Sequence, residues 1–204
     1  MSRGADEQKT ELINGLVAEA KERLGAAEGA TVAAFIRRYY DRVPAEDIAE
    51  RSRASLFGAA LAHWKFGARR ARGQVKLRLY NPTLEDHGWK SDHTVIEIVN
   101  DDMPFLVDSV TAELRRRDIG VLLIVHPILT VRRKGGVLGA VVEPGKTAAD
   151  GVVESFMHVE ISRQPSAAKR SAQALPKPEV APVIQMVFCI ILPSCILLGK
   201  QVCF

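Results

Sequence analysis

Hydrophobic and polar positions change their period about a third of the way along the chain. Over residues 7–24 the apolar Leu12, Ile13, Leu16, Val17 and Ala20 recur at spacings of one, three and four, which predicts an amphipathic helix that Gly25 can end. A second helical run from Thr31 places Val32, Phe35, Ile36 and Tyr39 on one face and stops before Pro44. A third, over residues 44–51, has Pro44 in its first turn and Glu46 and Asp47 where the helix dipole favours anions. The fourth runs from about Ala54 through Leu56, Phe57, Ala60, Leu61 and Trp64. Residues 1–73 therefore form an N-terminal helical segment.

From Val75 the period falls to two. Val75, Leu77 and Leu79 alternate with Lys76, Arg78 and Tyr80, as a half-buried strand requires, and residues 94–99 predict another strand. Asn100, Asp101, Asp102 and Pro104 follow as a turn into a helix with Met103, Leu106, Val107, Val110 and Leu114 as its buried stripe. Arg115, Arg116 and Arg117 suit that helix's carboxyl end, and Gly120 is its expected stop. Residues 121–131 are strongly β-forming, with Pro127 implying a sheet edge or a bulge. Gly135 and Gly136 turn the chain into a strand at 137–142, and 153–161 reads as a central strand. Beyond Gln164 the composition breaks: 165–179 is rich in Ser, Ala, Lys and Pro, and 180–198 is nearly all apolar, close to the roughly 20 residues that cross a bilayer.

Charge removes one function class. The 28 Lys and Arg outnumber the 24 Asp and Glu, but Arg163, Lys169, Arg170, Lys177 and Lys200 face only Glu179 in the tail, which leaves 23 of each sign up to Ser162. The body is neutral, so the basic pI does not point to nucleic acid. All three cysteines, Cys189, Cys195 and Cys203, fall in the last sixteen residues. A disulfide or thiolate metal site is thus not expected in the body, and a cytoplasmic location is. No Gly-rich turn joins a strand to a helix as a nicotinamide cradle would, and the motifs GxSxG, GxxxxGK[ST] and HExxH are absent. No catalytic residue and no cofactor is expected in this chain. His63, His87, His93, His126 and His158 show no recognised ligand spacing, which favours ordinary hydrogen-bonding histidines over a metal site. His126 and His158, on adjacent predicted strands, are expected to pair within the sheet.

The run Asn100-Asp101-Asp102-Met103-Pro104-Phe105-Leu106-Val107-Asp108-Ser109-Val110 carries more than pattern. With Tyr39-Tyr40-Asp41-Arg42-Val43 before it, and Val125-His126-Pro127 and Glu154-Ser155-Phe156-Met157-His158-Val159-Glu160 after it, it closely resembles the amino-terminal region of the large bacterial NAD-specific glutamate dehydrogenases, over about residues 31–164. The resemblance implies an α/β fold: helices, then an incomplete ACT-like βαββ unit over residues 74–164, mostly antiparallel, with a helix on one face and without the last helix and strand of βαββαβ. It implies a regulatory segment of an enzyme that uses NAD to oxidise L-glutamate to 2-oxoglutarate and ammonia, with the dehydrogenase domain elsewhere in a long, homo-oligomeric subunit.

The resemblance also implies an amino-acid effector site at Asn100, Asp101, Asp102 and Pro104, where backbone amides at a helix start hold a carboxylate. Many ACT domains have Gly after the proline; here Phe105 stands there, and helix capping and packing by Asp101 and Asp102 is preferred over ligand binding. Residues 165–204 are expected to be out of register with the family, through a frameshift or misjoined gene, with a membrane anchor over 180–198 as the other origin. The rival function is a free-standing ACT-like binding module tethered by that tail.

Overall fold

In the computed structural model of the protein, residues 2–143, 150–164 and 170–172 are described. Four helices open the chain: α1 (Ser2–Leu24), α2 (Ala26–Tyr40), α3 (Ala45–Ala49) and α4 (Arg53–Gly67). Gly25, at φ 75°, is the whole of the break between α1 and α2, so α2 starts earlier than its apolar stripe suggested. The hairpin is tight. A Cβ on Gly29 would stand 2.8 Å from the Ala20 carbonyl oxygen and the Lys21 Cα, so only glycine lets these two backbones approach. Pro44 occupies the N-cap position of α3, and the Ser52 hydroxyl caps α4 by accepting from the Ser55 amide at 3.2 Å.

The remaining elements are β1 (Lys76–Tyr80), α5 (Leu84–His87), β2 (Thr94–Asp101), α6 (Leu106–Arg116), β3 (Val121–Val125), β4 (Ile128–Lys134), β5 (Val137–Val141), β6 (Val152–Ile161) and β7 (Arg170–Ala172). Among the described residues seven strands form one sheet in the order β5-β4-β6-β2-β1-β7, with β3 also on β6, and every pairing is antiparallel. β2 and β3 both run against β6 and are therefore parallel to each other, joined through α6. This is the split βαβ unit of the expected ACT-like fold. The predicted single strand over 121–131 is instead two, because Pro127 has no amide to give the ladder. β3 and β4 lie end to end along one edge of β6, and between them the Phe156 amide donates to the Pro127 carbonyl at 3.1 Å.

Period-two alternation sends the two sides of the sheet to different partners. Leu77, Leu79, Ile96, Ile98, Met157, Val159 and Ile161 share a core with Leu106, Val110 and Leu114 of α6. On the opposite face Val99, Leu123, Val125 and Phe156 join the core of the N-terminal helices, where the Phe35 ring meets Phe156 edge-on at 5.3 Å and Trp64 at 5.3 Å. The sheet is thus covered by helices on both faces. The helical segment and the strands share one core.

Three expectations around α6 need correction. Met103 precedes the helix and is 36% exposed, since α6 begins only at Leu106. Asn100 and Asp101 are the end of β2, in register with Ser155 and Glu154, rather than part of a turn. The helix ends at Arg116, and the left-handed residue after it is Asp118 at φ 58°, ahead of Gly120. Within the stretch read as linker, β7 pairs Ala172, Ser171 and Arg170 with Leu77, Arg78 and Leu79. The apolar run 180–198, the three cysteines and the rest of 165–204 lie outside the described residues.

Candidate functional site

The turn before α6 separates the four residues that the sequence grouped. Asn100 is 1% exposed, and neither atom of its amide has a hydrogen-bond partner among the described residues. Asp101 is engaged: it accepts from Arg70 Nη2, and from the Gly73 amide at 3.1 Å. Arg70 is fully buried and has Glu154 at 3.6 Å as a second acid. Asp102 is exposed and ties its own amide to the Val153 carbonyl at 3.2 Å, and Pro104 is exposed. Neither aspartate caps α6. Phe105 takes the N-cap position with no side-chain cap bond, at φ 61° and ψ 15°, and the residue is 74% exposed. A bulky residue holds the left-handed conformation that glycine adopts freely, and its ring points to solvent rather than filling a pocket.

A second polar constellation lies between the helical layer and the sheet. Alternation places Arg78 and Tyr80 of β1, Glu97 of β2, and His158 and Glu160 of β6 on the face that meets α2 and α4. A charge on a central strand is tolerated only when paired. Arg78 Nε donates to Glu97 Oε2 at 2.5 Å and the Tyr80 hydroxyl to Glu97 Oε1 at 3.0 Å. Arg51, between α3 and α4, donates to Glu160 Oε2 at 3.0 Å. His158 sits between the two acids, with Nδ1 3.6 Å from Glu97 Oε1 and Nε2 3.6 Å from Glu160 Oε1. From the helices, His63 Nδ1 lies 2.9 Å from the Tyr39 hydroxyl.

Electrostatics sharpen these roles. Burial pushes His63 down to about 3 against the opposing charge of Glu97, so the ring is neutral near pH 7 and gains its charge only in acid. Burial would also lower His158, but Glu160 and Glu97 outweigh it and raise the ring above its ordinary value. Burial would raise both acids; His63 and Arg78 hold Glu97 at about 2, and His158 and Arg51 hold Glu160 at about 2. A cavity of about 300 Å³ opens beside this cluster, with Arg51, His158, Glu160, Trp89 and Lys90 in its wall. That volume is at the small end for ligand sites.

His126 and His158 do not pair. His126 Nε2 lies 2.6 Å from Ser155 Oγ, and Ser155 is on the α6 face of β6, whereas His158 is on the other. Nothing in the linear spacing of His63, Glu97 and His158 links them, since they stand on α4, β2 and β6. One signal was present: Glu97 between Ile96 and Ile98, and Glu160 between Val159 and Ile161, are charges inside apolar strands.

Residues 35–174 match the family described as glutamate dehydrogenase, ACT1 domain. The chain belongs to that family. It is 37% identical over 165 residues to the NAD-specific glutamate dehydrogenase of Halomonas elongata, covering 80% of this chain and 10% of that protein. It is 35% identical over 143 residues to the NAD-specific glutamate dehydrogenase of Pseudomonas aeruginosa, covering 70% of this chain and 9% of that one. The chain thus spans about a tenth of the length of these curated relatives. No solved structure gives a significant match. The ACT1 match takes in every strand of the sheet, reaching β7 and passing Gln164, where the sequence motifs had run out. Among the described residues, no helix is long and apolar enough to cross a membrane.

Proposed function

We propose that this chain is the amino-terminal regulatory region of an NAD-dependent glutamate dehydrogenase. The parent enzyme oxidises L-glutamate to 2-oxoglutarate and ammonia, with NAD bound in another part of the subunit. The observation that carries the reading is the ACT1 match laid over a complete split βαβ unit, β2-α6-β3 with β6 between the strands. The region takes a small amino-acid effector, and Asn100, at the end of β2, is the strongest contributor, because its buried amide lacks hydrogen-bond partners among the described residues. Asp102 and Pro104 are exposed beside it, while Asp101 serves Arg70 instead. The parent enzyme is a homo-oligomer, and this is supported by β3 and β7, each of which pairs with a single strand among the described residues. The relatives, which share the match as parts of dehydrogenases, favour this reading over a free-standing module.

The test compares the full-length enzyme with a version lacking residues 1–174. Glutamate oxidation is assayed with and without each common amino acid at saturating concentration. The shortened enzyme is expected to keep basal turnover and lose the response. An unchanged response in the shortened enzyme overturns the regulatory role.

A further inference from the structure

Three buried imidazole nitrogens, His63 Nε2, His158 Nδ1 and His158 Nε2, make no hydrogen bond of normal length among the described residues, although each His158 nitrogen has a carboxylate oxygen at 3.6 Å. An unsatisfied buried polar atom loses its hydration with nothing to replace it. One donor atom from each of His63, Glu97 and His158 lies within 4.8 Å of the other two, and all three residues are buried. We propose that His63, Glu97 and His158 form a binding site for one divalent transition ion of the Zn²⁺ kind, seated between α4 and strands β2 and β6.

A proton on His158 satisfies that ring alone and leaves His63 Nε2 orphaned. An ion between the three residues satisfies both rings and Glu97 together. The surroundings have the form of an outer shell: the Tyr39 hydroxyl at 2.9 Å engages His63 Nδ1, so Nε2 is the atom presented, and Tyr80 fixes the Glu97 carboxylate. Metal–ligand bonds of about 2.0–2.1 Å in a tetrahedral shell put neighbouring donors about 3.4 Å apart. His158 Nδ1 and Glu97 Oε1, at 3.6 Å, already have that spacing. His63 offers its donor within 4.8 Å of the other two and closes the set by shifting towards them. Two imidazoles and one carboxylate select Zn²⁺ or Co²⁺ over Mg²⁺ or Ca²⁺. The cavity that His158 lines approaches the cluster from the Glu160 side. Arg78, already on Glu97, lowers the affinity relative to an unpaired carboxylate.

The inference does not depend on the dehydrogenase assignment. Its test uses the full chain with Cys189, Cys195 and Cys203 changed to Ser, so that no thiolate competes. Co²⁺ titration is expected to give one equivalent bound, with visible d–d absorption of a tetrahedral nitrogen–oxygen site that Zn²⁺ displaces. His63→Phe and Glu97→Gln each weaken binding by about tenfold or more, and His87→Ala and His93→Ala leave it unchanged. X-ray absorption of the Zn²⁺-loaded chain reads the ligands without a core substitution and is expected to show two imidazoles. No saturable Co²⁺ binding, unchanged affinity in a folded His63→Phe chain, or a Zn²⁺ shell without two imidazoles overturns the proposal.

Discussion

Gly67, the last residue of α4, lies against the ring of Phe156 in the central strand: a Cβ added there would stand 2.9 Å from Phe156 Cζ and closer still to Cε1. The ring is fully buried and also meets Phe35 and His63, so it has no free direction in which to retreat.

Gly67→Ala is therefore expected to destabilise the protein by about 1–3 kcal/mol, the usual cost of overpacking a filled core, although alanine is the better helix former. Urea unfolding checks it. A stability equal to or above that of the parent chain would show that the helical layer and the sheet are not locked at this contact.

Arg70 joins β2 to β6 through its two acids. Breaking a buried pair by deleting one partner costs about 3–5 kcal/mol, so Arg70→Ala is expected to lower stability by about 3 kcal/mol. The Asp101 side chain is 40% exposed, and Asp101→Asn is expected to cost only about 1 kcal/mol because of solvent screening. Thermal melts of the two variants give the order, and equal losses would contradict it.

Phe105→Gly tests the conformation at the start of α6. A left-handed non-glycine residue costs roughly 1–2 kcal/mol, and glycine's extra freedom in the unfolded chain costs about 0.4–1 kcal/mol. The 74% exposed residue contributes little burial. The variant is expected to match the parent or to exceed it by about 1 kcal/mol in urea unfolding. A clear loss would mean the ring packs against something essential.

His126 makes stability depend on pH. Burial lowers its pKa below the ordinary histidine value, against the charge of Asp102. The unfolded chain therefore takes up a proton near pH 6.5 that the folded chain refuses until lower pH, so stability falls as pH drops through this window. His126→Gln can keep a hydrogen bond to Ser155 and does not titrate. Its urea midpoint, followed from pH 7.5 downward, is expected to decline less steeply just below about pH 6.5. An identical decline would assign the acid sensitivity to other groups.

Local periodicity makes most elements legible in the sequence. The stripe Leu106, Val110 and Leu114 and the alternation of β1 and β6 state directly which side is buried. Sheet order was less accessible, because it depends on contacts between distant segments. β1, which precedes the split βαβ unit, lies beside β2, and no local pattern reports that. The polar cluster was hidden for the same reason: His63 and His158 are 95 positions apart in the numbering. The left-handed Phe105 ran against its residue type and could not have been read from it.

β6 is flanked by β2 on one side and by β3 and β4 on the other, yet among the described residues it is the last long strand in chain order. During synthesis, helices α1 to α4 and strand β2 emerge well before the segment that unites them. Until residue 161 clears the ribosome, the nascent chain carries an uncovered apolar face and open strand edges, the state in which aggregation competes with folding. A polypeptide halted upstream of residue 152 would therefore be a chaperone client rather than a smaller working domain.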